Sequence, residues 1–314
     1  MTDVAVTTKS PRQAKRRLGD LIFASTARGS GFLILVALAG VGIFLTVQGI
    51  PALSASSTDL AGHSTFVGYV WPLVFGTLLS AVIALLIATP LAIGLALTVS
   101  HYAPKSIATV IGYLIDLLAA VPSVVYGLWG ITFLGPRIVP IYAWLAKHAG
   151  WFPLFKGPAS DTGRTILTAS IVLAIMVLPI ITAISREIFA QTPTLNEEAA
   201  LALGATRWEM IRLSVFPYAR SGIVSAVMLG LGRAMGETMA VAMVLSVTGV
   251  GSVTFNAISS TNPSTIAANI ALNFSESSGK AINALILSGL VLFAITFIVN
   301  FAARLIVARR EVRA

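Results

Sequence analysis

Six apolar runs of bilayer-spanning length leave this chain one broad fold class. A helix that crosses a bilayer needs roughly 20 mostly apolar residues. The runs fall at 30–50 ("SGFLILVALAGVGIFLTVQGI", closed by Pro51), 71–100, 107–134, 165–186, 220–247 and 281–304. Backbone polar groups in lipid must be satisfied within the segment, so runs of this length are read as helices. Only 11% of the 314 residues are charged, against about a quarter in a soluble domain, and 56% are hydrophobic. The expectation is an all-α polytopic membrane protein with six transmembrane helices.

The distribution of Lys and Arg predicts orientation, because these residues collect on the cytoplasmic side. If the N-terminus is inside, fifteen of the 21 Lys and Arg lie in inner segments. They include Lys9, Arg12, Lys15, Arg16, Arg17 and Arg28 in the N-terminal tail, and Arg304, Arg309, Arg310 and Arg313 at the other end. Both termini are therefore expected to be cytoplasmic. The net charge of +9 then follows from topology and does not call for nucleic acid. The expected organisation is a cytoplasmic tail over 1–29, a first helix and outer loop over 30–70, a transmembrane core over 71–304 and a cytoplasmic tail over 305–314. The first run is too long for a signal-peptide core and is read as a retained helix. The outer loop 135–164 is basic, and its Tyr142, Trp144, Trp151, Phe152 and Phe155 suggest a segment at the membrane interface. There is no Cys and only three dispersed His, so neither a disulfide nor a metal site is expected. His63 and His101 are read as solvated.

The clearest local structure is "QTPTLNEEAALALGATRWEMIRLSVFPYAR", residues 191–220. Thr194 and Glu197 have capping-box spacing, which predicts a short helix over 195–203. Gly204 can take the left-handed conformation that ends it. Thr206 and Glu209 form a second box, predicting another short helix to about 214, with Pro217 before the fifth span. This is a helix–Gly–helix elbow between two spans. Its Ala199, Ala200 and Ala202 are small, which suits close docking of another protein better than lipid anchoring.

Glu198-Ala199-Ala200, three residues, Gly204, then Pro217 resembles the EAA loop of ABC importer permeases, E-A-A-x3-G-x9-I-x-L-P. Ser214 and Phe216 stand where that pattern prefers Ile and Leu. The stretches "LLAAVPSVVYGLWG" (117–130) and "GLGRAMGETMAVAMV" (230–244) resemble permeases of the phosphate-specific ABC importer, of the PstC type. The resemblance implies a type I ABC importer permease fold in a prokaryotic cytoplasmic membrane. It implies that Glu198, Ala199, Ala200 and Gly204 couple to a cytoplasmic ATPase. The implied partners are a second, PstA-like permease, a PstB-like ATPase dimer and a PstS-like extracytoplasmic phosphate-binding protein. ATP and Mg would be used by the ATPase, with no cofactor bound by this chain.

Within the fifth run, Arg233 and Glu237 stand four residues apart. Arg233 is 13 residues beyond Arg220, about 20 Å of helix. Arg at a helix centre costs roughly 2.5–3.5 kcal/mol on insertion scales. An i,i+4 ion pair returns only about 0.2–0.5 kcal/mol. These groups are therefore expected to face a polar cavity or another subunit. Three placements compete: Arg233 snorkelling outward, a structural pair with a partner such as Asp116, or contact with an anion on a transport path. The planar guanidinium fork suits a tetrahedral oxyanion. Glu237 would hold Arg233 or hasten anion release. Pro122-Ser123 should break the third span, and freed backbone at membrane depth lines protein or water. Ser123 and Tyr126 are candidates for the path on that account, and Thr238 for a hydroxyl beside Glu237 or a bond back to its own helix.

No G-x-x-x-x-G-K-[ST] loop is present; at Gly279-Lys280, Phe274 and Ala281 occupy the positions that need Gly and Ser or Thr. A subunit that converts ATP hydrolysis by a separate chain into opening of a path is the leading expectation, with no catalytic residues of its own. A permease for phosphonate, sulfate or molybdate remains open, as does a secondary anion transporter; the latter leaves the elbow without a role. A binding protein would meet the outer loops 135–164 and 248–279.

Overall fold

A computed structural model describes residues 18–246 and 255–311. It falls into two units, Met1–Val47 and Gln48–Ala314. Expectations that rest on residues 1–17, 247–254 and 312–314 lie outside the described residues. The first unit contains most of helix α1, Leu18–Gly49. This helix starts well before residue 30, because "LGDLIFASTARG" contains no proline to stop it and carries Leu21, Ile22 and Phe23 ahead of the apolar run.

In the second unit, a 3-10 turn at Ile50–Ser54 carries Pro51 in its first turn. There follow α2 (Phe66–Leu97), α3 (Lys105–Ala120), α4 (Ser123–Trp129), α5 (Gly135–His148), α6 (Ile166–Ala190), α7 (Thr194–Ala202) and α8 (Arg207–Met210). The chain continues through α9 (Phe216–Met235), α10 (Met239–Val244), α11 (Ile266–Asn273) and α12 (Lys280–Glu311). Helical turns of π type extend α2 and join α4 to α5 and α8 to α9. Among the described residues all regular structure is helical. Among the described residues, six helices are long and apolar enough to cross a membrane: Leu18–Ser54, Phe66–Tyr102, Ser123–His148, Ile166–Ala190, Arg207–Met235 and Lys280–Leu305. The chain is thus a multi-pass helical membrane protein.

The core is built on α2, α6 and α9. Ala81, Ala84, Ala88 and Ala92 recur on one face of α2 and are fully buried. Small side chains at this spacing let helices approach closely in a membrane, where packing rather than the hydrophobic effect drives association. Leu173, Val177 and Ile181 of α6 and Ala226 and Leu231 of α9 complete the same cluster. A Cβ at Gly230 would lie 2.9 Å from Ile181 Cδ1, so a larger residue there would force the Ile181 side chain to move.

Two spans differ from expectation. The third run breaks as Pro122 predicts, with α3 ending at Ala120. The spanning helix is then Ser123–His148, and the basic stretch from Arg137 to Lys147 belongs to its second half. Tyr142, expected at the interface, is fully buried; its hydroxyl lies 2.6 Å from Thr168 Oγ1. Trp151 is exposed, as an interfacial residue would be. The fifth run is not one unbroken helix. Helix α9 ends at Met235, and α10 starts only at Met239, because Glu237 caps that new start.

The segment 255–265, expected to be an outer loop, is largely buried. Ala257, Ile258, Ser259, Asn262, Ser264 and Thr265 are all enclosed. Its backbone is stitched to its neighbours: the Ser160 amide donates to Ile258 O at 2.8 Å and the Leu167 amide to Ala257 O at 2.9 Å. Asn262 Oδ1 accepts from the Ile166 amide, and Thr77 Oγ1 accepts from the Ile266 amide at 3.0 Å. Irregular backbone is tolerated at such a place when its polar groups find partners inside the protein, as these do.

Candidate functional site

One face of α9 carries Ser221, Ser225, Met228, Leu229 and Gly232 at helical spacing, and it opens on a groove of about 850 Å³. Ile180 of α6 and Asn300 and Arg304 of α12 complete its walls, and Arg233 lies at the end of the α9 stripe. The small residues on α9 keep the groove open. Among the described residues, the lining holds two guanidinium groups and no carboxylate.

Arg233 sits in the last turn of α9, where the negative end of the helix dipole favours a cation. Its side chain is 50% exposed toward the groove, whereas that of Glu237 is 5% exposed, and Nη2 lies 3.9 Å from Glu237 Oε2. Glu237 is turned away to cap the next helix: its Oε1 accepts from the Ala240 amide at 3.2 Å. At the other end of α10, Arg164 Nη2 donates to Met243 O at 3.0 Å. This short helix therefore has an anion at its start and a cation at its end, the favourable signs for its dipole. A buried carboxylate is costly unless paired and hydrogen-bonded, and Glu237 has both kinds of partner. Because Arg233 is half exposed, the pair itself contributes at most the few tenths of a kcal/mol typical of i,i+4 pairs, about 0.2–0.5.

The other candidates stand apart from this groove. Thr238 Oγ1 donates to Gly236 O at 3.2 Å, a bond back to its own turn. Tyr126 donates its hydroxyl to Leu118 O at 2.8 Å, across the break at Pro122. Ser123 is half-buried at the first position of α4. Glycine at 127 lets α4 close on α10, since a Cβ there would lie 3.0 Å from the Ala240 backbone. Of the five candidate path residues, Arg233 alone lines the groove. Asp116, considered as its partner, is exposed on α3, and the acid beside Arg233 is Glu237. The groove residues Ser221, Ser225, Asn300 and Arg304 were not singled out from the sequence, although the Ser221, Ser225, Gly232 spacing on one helix face was readable there.

The elbow is formed by α7, α8 and the turn between them. Gly204 has φ +84°, and its amide and that of Ala205 bond back to Leu201 O and Ala200 O at 3.0 and 3.2 Å. This is the helix-ending pattern that satisfies the last carbonyls with a left-handed glycine. The Thr206–Glu209 box is present, with the Thr206 amide donating to Glu209 Oε2 at 2.7 Å and the Glu209 amide to Thr206 Oγ1 at 3.3 Å. The Thr194–Glu197 box is not: Thr194 is already the first helical residue, after Pro193. Glu197 instead reaches His101 Nε2 at 3.5 Å, tying the elbow to the end of α2. His101, expected to be solvated, has only 9% of its side chain exposed and also meets Ser100 Oγ at 2.7 Å. His63 is half-buried with its Nε2 enclosed. The second elbow helix does not end near 214 but runs through a π turn into α9, with Pro217 just after that turn. Glu198, Ala199 and Gly204 are exposed, and Ala200 packs against the cluster beneath the elbow. Leu203 is 90% exposed, so the elbow presents apolar surface as well as small residues.

The sequence of residues 88–312 matches the family of binding-protein-dependent transport system inner membrane components. The chain belongs to this family of transport permeases. The permease is 44% identical over 317 residues to phosphate transport system permease protein PstC 2 of Mycobacterium tuberculosis, covering 98% of this chain and 96% of that one. It is 40% identical to phosphate transport system permease protein PstC of Mycobacterium leprae, over 91% and 92% of the two chains. Among solved structures, a bacterial ABC transporter involved in import of the acidic polysaccharide alginate matches with a TM-score of 0.55 at 16% identity, over 91% of this chain and 96% of that one. That likeness establishes the permease fold, and it agrees with the expected ABC architecture.

Proposed function

We propose that this permease subunit carries inorganic phosphate through the α9 groove, as one half of a path completed by a second permease. The single observation that carries the reading is the placement of Arg233: it opens on the groove while its carboxylate partner is withdrawn into the helix cap. An anion entering the groove meets a guanidinium fork and no facing carboxylate, which suits a tetrahedral oxyanion. The relatives' names indicate phosphate as that oxyanion.

In this reading the elbow of Glu198, Ala199, Ala200 and Gly204 docks on a separate ATPase dimer, which uses ATP and Mg. The chain has no nucleotide site of its own and lies in the cytoplasmic membrane of a prokaryote with both termini inside. The predicted orientation puts the elbow on the cytoplasmic side and α11 on the outer side, where an extracytoplasmic phosphate-binding protein delivers the ion.

The test is radiolabelled phosphate uptake in cells that lack their own high-affinity system, with all four subunit types co-expressed. ATP-dependent uptake that sulfate does not inhibit, and that Arg233→Gln abolishes in an assembled complex, supports the reading. Uptake unchanged in Arg233→Gln removes Arg233 from the path. Inhibition by sulfate moves the substrate to another oxyanion.

A further inference from the structure

The groove contains a second guanidinium that the reading above does not use. Arg304 stands one helical turn beyond Asn300 on α12, and both line the same groove as Arg233. No described carboxylate lies within 4.0 Å of Arg304, whereas Arg233 has Glu237 at 3.9 Å.

The two arginines belong to opposite ends of the groove. Helix α9 leaves the elbow and runs toward Arg233. Helix α12 starts on the other side, where Lys280 Nζ donates to Ser54 O at 2.8 Å. From Lys280 to Arg304 is about 36 Å of helix, which brings Arg304 back toward the elbow and the Ser221 end of α9. Ser221 and Arg233 are themselves about 18 Å apart along α9. That separation exceeds the width of one phosphate ion, which sets the Ser221 end of the groove apart from the Arg233 backbone.

Resting on the phosphate-path reading, we propose that Arg304, with Ser221 and Asn300, forms a second phosphate-contacting station on the elbow side of Arg233. Arg304 supplies the charged fork. Asn300 donates to Thr296 O with its side-chain nitrogen at 2.9 Å and retains its second N–H for an oxyanion. Ser221 lines the same space. Ser225, one turn along, donates its own hydroxyl to Ser221 O and is left with acceptor capacity only. An ion released by Arg233 would therefore meet the next donor set at the Arg304 end before leaving the groove. The same phosphate-seeking chemistry would also be met by a lipid headgroup, since Arg304 lies near the end of its span.

The chain has no cysteine, so a single introduced thiol reports on this station alone. Val224 lines the groove one turn from Ser221 and makes a suitable reporter as Val224→Cys. The assembled four-subunit complex would be placed in proteoliposomes, and maleimide labelling of this chain read by mass. The expected result is at least fivefold slower labelling in millimolar inorganic phosphate than in chloride. Adding Arg304→Gln should abolish that protection, and adding Arg233→Gln should leave most of it. Labelling insensitive to phosphate in a complex that still takes up phosphate overturns the station. Labelling insensitive to every free anion, but faster once Arg304→Gln is introduced, overturns it in favour of a lipid headgroup. Protection by sulfate and not by phosphate keeps an oxyanion station and overturns the phosphate reading instead.

Discussion

Gly204 is the position where a single methyl group should weaken coupling by a calculable amount. Its φ of +84° lies in the left-handed region, where an L residue with a Cβ costs about 1–2 kcal/mol. A Cβ built there meets nothing within 4 Å, so the cost within this chain is conformational and not steric. Gly204→Ala should therefore shift the elbow away from its docking geometry by the equivalent of 1–2 kcal/mol, roughly 5–30-fold in population. If the ATPase binds only the bent elbow, its apparent affinity falls by the same factor. Asn tolerates the left-handed conformation, so Gly204→Asn should recover most of that loss. The assay is ATPase affinity for the permease pair in nanodiscs, with insertion and helix content checked alongside. Affinity within twofold of wild type for Gly204→Ala would refute the conformational argument. Equal damage from Ala and Asn would move the cause to the ATPase surface, since this chain offers the side chain open space.

Thr77→Val should leave the buried Ile266 amide without its acceptor and lower stability by about 1–3 kcal/mol, with Thr77→Ser restoring it; a thermal unfolding series in detergent reads this. Gly76→Ala should be worse tolerated, because a Cβ there runs into the carbonyl of Ser264 and lies 3.1 Å from that of Pro263; loss of folded protein on size exclusion is the expected outcome. Tyr126→Phe should cost only about 0.5–1.5 kcal/mol, since the Leu118 carbonyl keeps its bond from the Val121 amide at 3.3 Å; uptake within a few-fold of wild type would fit this role, and abolished uptake in a stable complex would return Tyr126 to the path. Thr206→Ala removes both bonds of the capping box that its side chain makes and should cost about 0.5–2 kcal/mol, visible as faster amide exchange in α8.

Features that depend on near neighbours were legible. The Gly204 turn and the Thr206 box follow from residues within one helical turn, and both are present. The break at Pro122 likewise needs only the missing N–H and the ring of that residue. Arg233 stood out in the sequence because its insertion cost is a property of the residue and its depth, and the structure places it on the lining of the groove. Glu237 was not legible as a cap. Nothing in its i,i+4 spacing from Arg233 says that α9 ends at Met235 and that a new helix begins at Met239. The Thr194 box failed for a related reason: Pro193 takes the cap position, and Glu197 finds His101, which lies 96 residues earlier in the chain. Arg304 passed for a tail residue in a basic cluster until α12 was seen to lie against α9.

The sequence by itself determined the number of spans and the elbow, since apolar length and capping residues act locally. Only the tertiary structure decided which helix faces form the groove and where the residues at 255–265 go. Those outcomes rest on partners far apart in the chain, such as the Ile266 amide on Thr77, 189 residues away. Ser, Asn and Thr in a membrane protein suit an outer loop or a buried connection equally well. What separates the two is whether each freed backbone group meets a partner, and that is a property of the packed helices.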